Sequence, residues 1–237
     1  MAAEPLWDKL LHPDASAILA RVAHEMRQPL TVVATAARLI AFEDPKGRER
    51  AYRILQSQIV RLTRMVEDLL LVGSSGRDIT VVRKTPIDLR TVLHGVADAV
   101  RPLIASRQEY LEVDLPDEPC WIEGDAVRLD QIFSNLLINA MKYTDAGGRI
   151  WLSAVSTNQD VIVSVGDTGR GIRADLLPHV FEMFATGSNH VATGLGVGLA
   201  VARHLVELHG GSIAIKSDGP GRGTVVSVTL PHLMQVA

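Results

Sequence analysis

Residues 130–144 read Asp-Gln-Ile-Phe-Ser-Asn-Leu-Leu-Ile-Asn-Ala-Met-Lys-Tyr-Thr. They form the second half of a predicted helix from Ala126 to Tyr143. Asn135 and Asn139 are four residues apart, so they share one face of that helix. Amide oxygens suit a hard cation such as magnesium, and Lys142 can meet a phosphate. The same pattern also fits a polar helix face with incidental asparagines.

Outward from this helix the pattern mixes strands and helices. Upstream, Ile79–Arg83 reads as a strand, Asp88 as the cap of a helix over Leu89–Ser106, and Tyr110–Leu115 and Cys120–Glu123 as strands. Downstream, Arg149–Ser156 and Val161–Val165 read as strands joined by a Thr-Asn-Gln-Asp turn. Leu195–Leu208 is apolar and helical, and Gly210-Gly211 ends it. Ile213–Lys216 and Thr224–Thr229 close the chain as a hairpin around Asp218-Gly219-Pro220-Gly221. Strands joined by short turns, with helices between, imply an α/β sandwich with a mixed or antiparallel sheet and helices on one face.

Two glycine-rich segments fall at strand and helix ends. In Gly166-Asp167-Thr168-Gly169-Arg170-Gly171 a strand runs into a tight turn, where backbone can approach a ligand closely. An aspartate there can accept a hydrogen bond from an exocyclic amine; a plain loop has the same composition. Gly194-Leu195-Gly196-Val197-Gly198 opens a helix, whose exposed N–H groups and dipole favour phosphate. Its spacing is neither a Rossmann fingerprint nor a Walker loop.

Residues up to 72 differ in character. Ile18, Val22, Met26, Pro29, Val33, Ala36 and Ile40 recur at steps of three and four, the rhythm of one helical face. Glu43-Asp44-Pro45-Lys46-Gly47 ends that run. A second run carries Leu55, Ile59, Leu62, Val66 and Leu69, and Gly73-Ser74-Ser75-Gly76 closes it as a linker and hinge. Two amphipathic helices joined by a short turn form a helical hairpin. It has little core of its own, so a second copy completing a four-helix bundle is expected, making the chain a homodimer. His24 lies about 200° from Val22 and faces away from the apolar stripe, beside Glu25. A neutral imidazole is a nucleophile, and an adjacent carboxylate can orient it or take its proton. The predicted domains are residues 1–76, the hairpin, and 77–237, the sandwich.

Composition narrows the function classes. The chain has 237 residues, a net charge of -3, one cysteine and 4% aromatics. One cysteine excludes a disulfide framework. Near-neutral charge and few aromatics argue against nucleic acid as a partner. No apolar run approaches the ~20 residues of a membrane span, and the N-terminus shows no secretory signal. A cytoplasmic chain is expected, either by itself or as the cytoplasmic part of a membrane-bound parent.

Taken in order, these segments resemble the sensor histidine kinases of two-component systems. His24-Glu25-x-Arg27-x-Pro29-Leu30 resembles the H-box, and NLLINAMKYT the N-box. DTGRGI resembles the first glycine box, Phe181-Glu182-Met183-Phe184 the F-box, and GLGVGLAVARHLVELHGGSI the second glycine box with its helix. The resemblance implies that His24 accepts a phosphoryl group, with Glu25 as its acid/base neighbour. It implies that Asn139 ligates magnesium, that Asn135 sits near the terminal phosphate of ATP, and that Lys142 reaches phosphate. Tyr143 would line the nucleotide site and Asp167 would read the adenine amine, with Gly169, Gly171, Gly194, Gly196 and Gly198 supplying close backbone. Residues 185–193 would be the lid. Autophosphorylation from Mg-ATP, followed by transfer to an aspartate of a response-regulator receiver domain, is the implied activity. Gln28, where many members have threonine or asparagine, leaves phosphatase activity open. Gyrase-, Hsp90- and MutL-like ATPases share the ATP fold but carry glutamate at the position of Asn135, which favours transfer over hydrolysis. A serine-kinase anti-sigma factor lacks the histidine hairpin, and a non-catalytic dimeric scaffold would not need His24, Asn139, Asp167 and Gly196 together.

Overall fold

The computed structural model describes residues 15–40, 44–73, 82–184 and 196–233, which fall into two compact units. The first unit is a hairpin of α1 (Ala15–Ile40) and α2 (Pro45–Gly73). The stripe predicted on α1 turns inward, with Pro29 and Ala36 buried and Met26 and Val33 half-buried; on α2, Leu55 and Leu62 are half-buried and Ala51, outside the predicted run, is buried, whereas Ile59 and Val66 of that run are exposed. The Asp44-Pro45 pair both stops α1 and starts α2. Asp44 accepts the N–H of Gly47 on its carboxylate at 2.8 Å, an N-cap, and Pro45 occupies the first helical position, where no N–H is needed. Pro29 sits inside α1 and removes one helical hydrogen bond there. Leu30, Leu39, Ile59 and Val66 remain exposed on the hairpin, each more than 40%.

The second unit runs β1 (Thr85–Asp88), α3 (Leu89–Ser106), β2 (Tyr110–Asp114), β3 (Trp121–Gly124), α4 (Ala126–Tyr143), β4 (Arg149–Ser156), β5 (Asp160–Asp167), α5 (Gly198–Leu208), β6 (Ser212–Lys216) and β7 (Thr224–Pro231). Five strands form one sheet in the order β2-β4-β5-β7-β6. Only the β2–β4 pair is parallel, so the sheet is mixed. β1 and β3 form a separate antiparallel ribbon. One sheet face is apolar by strict alternation: Ile150, Leu152 and Ala154 on β4, Val161, Val163 and Val165 on β5, and Val226, Val228 and Leu230 on β7 are buried. Leu93 and Ile104 of α3, Phe133 and Leu137 of α4, and Val201 and Leu205 of α5 are the buried residues of the helical layer. The opposite face keeps Ser153, Val155, Ile162 and Ser164 at least partly exposed. This is the predicted α/β sandwich with helices on one face.

Most predicted elements of this unit match within one or two residues. Asp88 caps α3 as expected, accepting the Arg90 N–H. The first predicted strand does not match: Val82 and Arg83 carry no strand, residues 79–81 lie outside those described, and the strand is Thr85–Asp88. Its Pro86 suits an edge, where a missing donor costs no ladder bond. The boundary at 76/77 also falls outside the described residues, as do Ser74 to Gly76 of the proposed hinge.

Candidate functional site

The candidate site of the α/β unit forms where the C-terminal half of α4, the end of β5 and the start of α5 converge. α4 begins at Asp125, whose carboxylate accepts the N–H groups of Val127 and Arg128. Its apolar face, Leu129, Ile132, Phe133, Leu136 and Leu137, is buried. That fixes the rotation of the helix and leaves Asn135 and Asn139 half-buried on another side. Asn135 Nδ2 donates to the Gly198 carbonyl at 3.4 Å. A methyl group built on Gly198 would lie 3.8 Å from Asn139 Nδ2 and 3.9 Å from Asn135, so both amides face the first residue of α5. Among the described residues the Asn139 side chain has no hydrogen-bond partner. An amide oxygen left open beside a helix N-terminus is a fitting ligand for a hard cation that arrives with phosphates.

Lys142 and Tyr143 end α4 on the same side of the unit. The Lys142 ammonium stands 4.8 Å from the Tyr143 ring centroid. Thr144 closes the helix, donating its hydroxyl to the Ala140 carbonyl at 2.8 Å.

Asp167 is the last residue of β5 and is only 7% exposed. Its Oδ1 accepts the Gly169 N–H at 2.8 Å, which folds the turn back on the strand. Burial pushes the Asp167 carboxyl above the usual carboxylate range, against the backbone N–H groups of Gly169 and Thr224, which favour the charged form. The turn admits only glycine at Gly169: a Cβ there would stand 2.1 Å from the Tyr143 carbonyl oxygen. The Arg170 N–H donates to that same carbonyl at 3.0 Å, so α4 and the turn are locked together. At Gly171, φ is +64° and a Cβ would meet the Gly219 carbonyl at 2.1 Å.

The β6–β7 connection therefore braces the turn, which sequence reading treated only as a hairpin. Ser217 Oγ accepts the Ile172 N–H at 2.9 Å and donates to the Gly223 carbonyl at 2.7 Å. The Gly221 N–H donates to the Arg170 carbonyl and the Gly223 N–H to the Gly169 carbonyl. The signal for this brace is the Gly219-x-Gly221-x-Gly223 run, but its partner lies about fifty residues upstream, beyond any local pattern.

The structure thus brings Asn135 and Asn139 to Gly198, and Tyr143 and Asp167 to Gly169, two groups joined along α4, whose last turn also carries Lys142. Gly196 precedes α5 with φ of +71°. Gly194 and residues 185–193 lie outside the described residues. Phe181 packs under the Arg203 guanidinium of α5, 5.8 Å from the ring centroid.

In the hairpin, His24 is exposed on α1 and Glu25 is buried, as the helical phase requires. Among the described residues Glu25 Oε2 has no hydrogen-bond partner.

Residues 15–77 match the His Kinase A (phospho-acceptor) domain family. Residues 124–234 match the family of histidine kinase-, DNA gyrase B- and HSP90-like ATPases. The signal transduction histidine-protein kinase BaeS of Escherichia coli is 35% identical over 90% of this chain and 46% of its own length. The probable sensor histidine kinase TcrY of Mycobacterium tuberculosis is 36% identical over 90% of this chain and 45% of its own. The chain spans under half the length of these relatives. Among solved structures, full-length ShkA is similar with a TM-score of 0.67 at 28% identity, covering 92% of this chain and 46% of that one. The mycobacterial sensor histidine kinase MprB has a TM-score of 0.57 at 27% identity, covering 62% of this chain and 98% of that one. The two matched regions in this order, each on the fold its family requires, make the chain a member of the two-component sensor histidine kinases.

Proposed function

We propose that the chain is an ATP-dependent protein histidine kinase that phosphorylates its own His24 and passes the phosphoryl group to a response-regulator aspartate. The observation that carries this reading is an exposed histidine on a helical hairpin in a chain whose α/β unit carries two asparagine amides against the start of α5 and a buried carboxylate in a glycine turn at the end of the same α4 helix. The ShkA structure, solved in complex with AMPPNP, supports ATP as the nucleotide.

In this reading Asp167 accepts from the adenine amine, and its burial makes that bond selective over a nucleobase presenting a carbonyl. Asn135, Lys142 and the start of α5 hold the phosphates. Asn139 offers its amide oxygen to magnesium, which offsets phosphate charge when it arrives with ATP. Among the described residues no cluster of histidine, cysteine or carboxylate side chains could hold a metal alone, which suits an ion held mainly by the nucleotide. An imidazole nitrogen of His24 attacks the γ-phosphorus, the bond to the β–γ bridging oxygen breaks, and ADP leaves. The proton displaced from the ring passes to the Glu25 carboxylate or to water. Catalysis is then positioning plus charge stabilisation of a metaphosphate-like transition state. The side chain at Asn135 is an amide and cannot act as the base that hydrolysis needs.

A homodimer is part of the proposal. Ile59 and Val66, seven residues apart and so on one face of α2, are exposed, and a second copy would cover them as a four-helix bundle. Residues 1–76 serve as the acceptor and dimerisation domain and 77–237 as the catalytic domain, with Gly73 to Gly76 as hinge. Among the described residues no helix is long and apolar enough to cross a membrane, and a cytoplasmic location is proposed for this portion. Incubation with magnesium and γ-labelled ATP tests the activity. Label that is lost in acid and kept in base, and that moves to a receiver domain, is expected; acid-stable label or release of free phosphate alone would reject it.

A further inference from the structure

One buried ionisable side chain has no part in the reaction above. His209 follows the last turn of α5 and is 3% exposed. Its Nδ1 lies 2.7 Å from the Leu205 carbonyl oxygen, and its Nε2 lies 3.1 Å from the Asp125 backbone nitrogen. A carbonyl only accepts and a backbone N–H only donates. Nδ1 therefore carries the proton and Nε2 offers its lone pair, so the ring is neutral and in one tautomer.

The partner at Nε2 is the cap of α4. The Asp125 carboxylate accepts from Val127 and Arg128 on Oδ1 and from the Arg83 N–H on Oδ2, while its own N–H goes to His209. Gly124 makes room for the ring: a Cβ there would stand 3.3 Å from His209 Cδ2 and 2.6 Å from Leu129. His209 thus ties the end of α5 to the start of α4. At the other end of α5, Gly198 receives Asn135 of α4. Two helices pinned at two points are held in one relation, and that relation sets how the asparagine face of α4 meets the start of α5.

We propose that His209 is a positioning residue for nucleotide binding, its neutral ring clamping α5 to the cap of α4. The proposal rests on the reading of the asparagine face of α4 and the start of α5 as part of the nucleotide site. Protonation at Nε2 would turn an acceptor into a donor facing the Asp125 N–H, and the clamp would open. Burial holds the ring below the usual histidine range; the hydrogen bond to the Leu205 carbonyl opposes that shift, and of the two charged groups acting on the ring Asp125 opposes it and Lys84 adds to it. The clamp is therefore closed at neutral pH and weakens in acid.

Two substitutions separate clamping from mere support of the fold. In His209→Asn the short amide can still donate to Leu205 but cannot reach Asp125. In His209→Gln the longer amide places its oxygen where Nε2 stood and can still accept from Asp125. Titration calorimetry on the full 237-residue chain, with Mg-AMPPNP as probe, reads the effect. His209→Asn is expected to weaken binding about five- to tenfold, the worth of one lost bond, and His209→Gln to stay within about threefold of wild type. The ratio of His209→Gln affinity to wild-type affinity is expected to rise as pH falls from 8 to 5, because only the wild-type ring titrates. Equal affinity for folded His209→Asn and wild type overturns the clamp. If His209→Asn does not fold, a ratio that stays flat with pH overturns it. A wild-type chain that binds no nucleotide overturns the site reading itself, an outcome distinct from either.

Discussion

Asp167→Asn removes one charge and turns one acceptor into a donor at nearly constant volume. In the folded chain the carboxylate is buried, Oδ1 takes the Gly169 N–H at 2.8 Å, and the Thr224 N–H also bonds the carboxylate. An asparagine oxygen can keep one of these partners. Its NH2 group then faces either a backbone N–H or the adenine amine, and both are donors. A hydrogen bond to a charged group contributes about 1.5–3 kcal/mol, which corresponds to about 10- to 150-fold in affinity. Guanine presents a carbonyl where adenine presents its amine, so the substitution also narrows the preference for ATP over GTP. Calorimetry with the non-hydrolysable analogues of both nucleotides reads the two effects together, with thermal denaturation confirming a folded variant. A folded Asp167→Asn chain that binds the ATP analogue within twofold of wild type, with an unchanged preference over the GTP analogue, would refute the adenine role.

Three further outcomes follow from the same geometry. Gly169→Ala drives a Cβ to 2.1 Å from the Tyr143 carbonyl oxygen and 2.9 Å from Asp167 Oδ1, and the backbone carbonyl cannot swing aside as a side chain could; about 1–3 kcal/mol is lost, lowering the melting temperature of the α/β unit by at least about 2 °C, and an unshifted transition would contradict the packing. The pH response at Asp167 has opposite signs for folding and binding. Because burial raises its folded pKa, its contribution to stability grows as pH falls through that pKa, whereas nucleotide affinity, which needs the charged form, declines over the same window above the ordinary carboxylate range. Parallel melting and titration series across that window check this, and affinity that rises toward acid would contradict it. Ile59→Glu places a charge on a side chain 53% exposed in one chain, so the hairpin still folds while the dimer dissociation constant rises about tenfold or more; sedimentation showing an unchanged dimer would contradict the proposed bundle face.

Much of the fold was legible because it rests on local signals. The three-and-four spacing of Val22, Met26, Pro29, Val33 and Ala36 found the inner face of α1, and Asp88 marked the first turn of α3. Asn135 and Asn139 could be placed on one helix face from spacing alone. Their shared neighbour Gly198 could not, because that contact joins residues 63 apart in sequence. The brace of the Asp167 turn by Ser217, Gly219 and Gly223 was hidden for the same reason, as was the link from His209 to Asp125, which spans 84 residues. Asp44-Pro45 was read as a stop, although the same two residues are an N-cap and a first-turn proline. The strand expected at Ile79–Arg83 followed β propensity, whereas pairing with β3 selected Thr85–Asp88, a segment that contains a proline.

The central claim is phosphoryl transfer to His24, an exposed imidazole on α1 beside a buried glutamate. Labelling His24→Gln and wild-type chains side by side with γ-labelled ATP and magnesium, with nucleotide binding measured on both, tests it most directly. Acid-labile label on wild type alone, with equal nucleotide affinity in the two chains, is the expected result. Acid-labile label retained on His24→Gln would contradict the assignment.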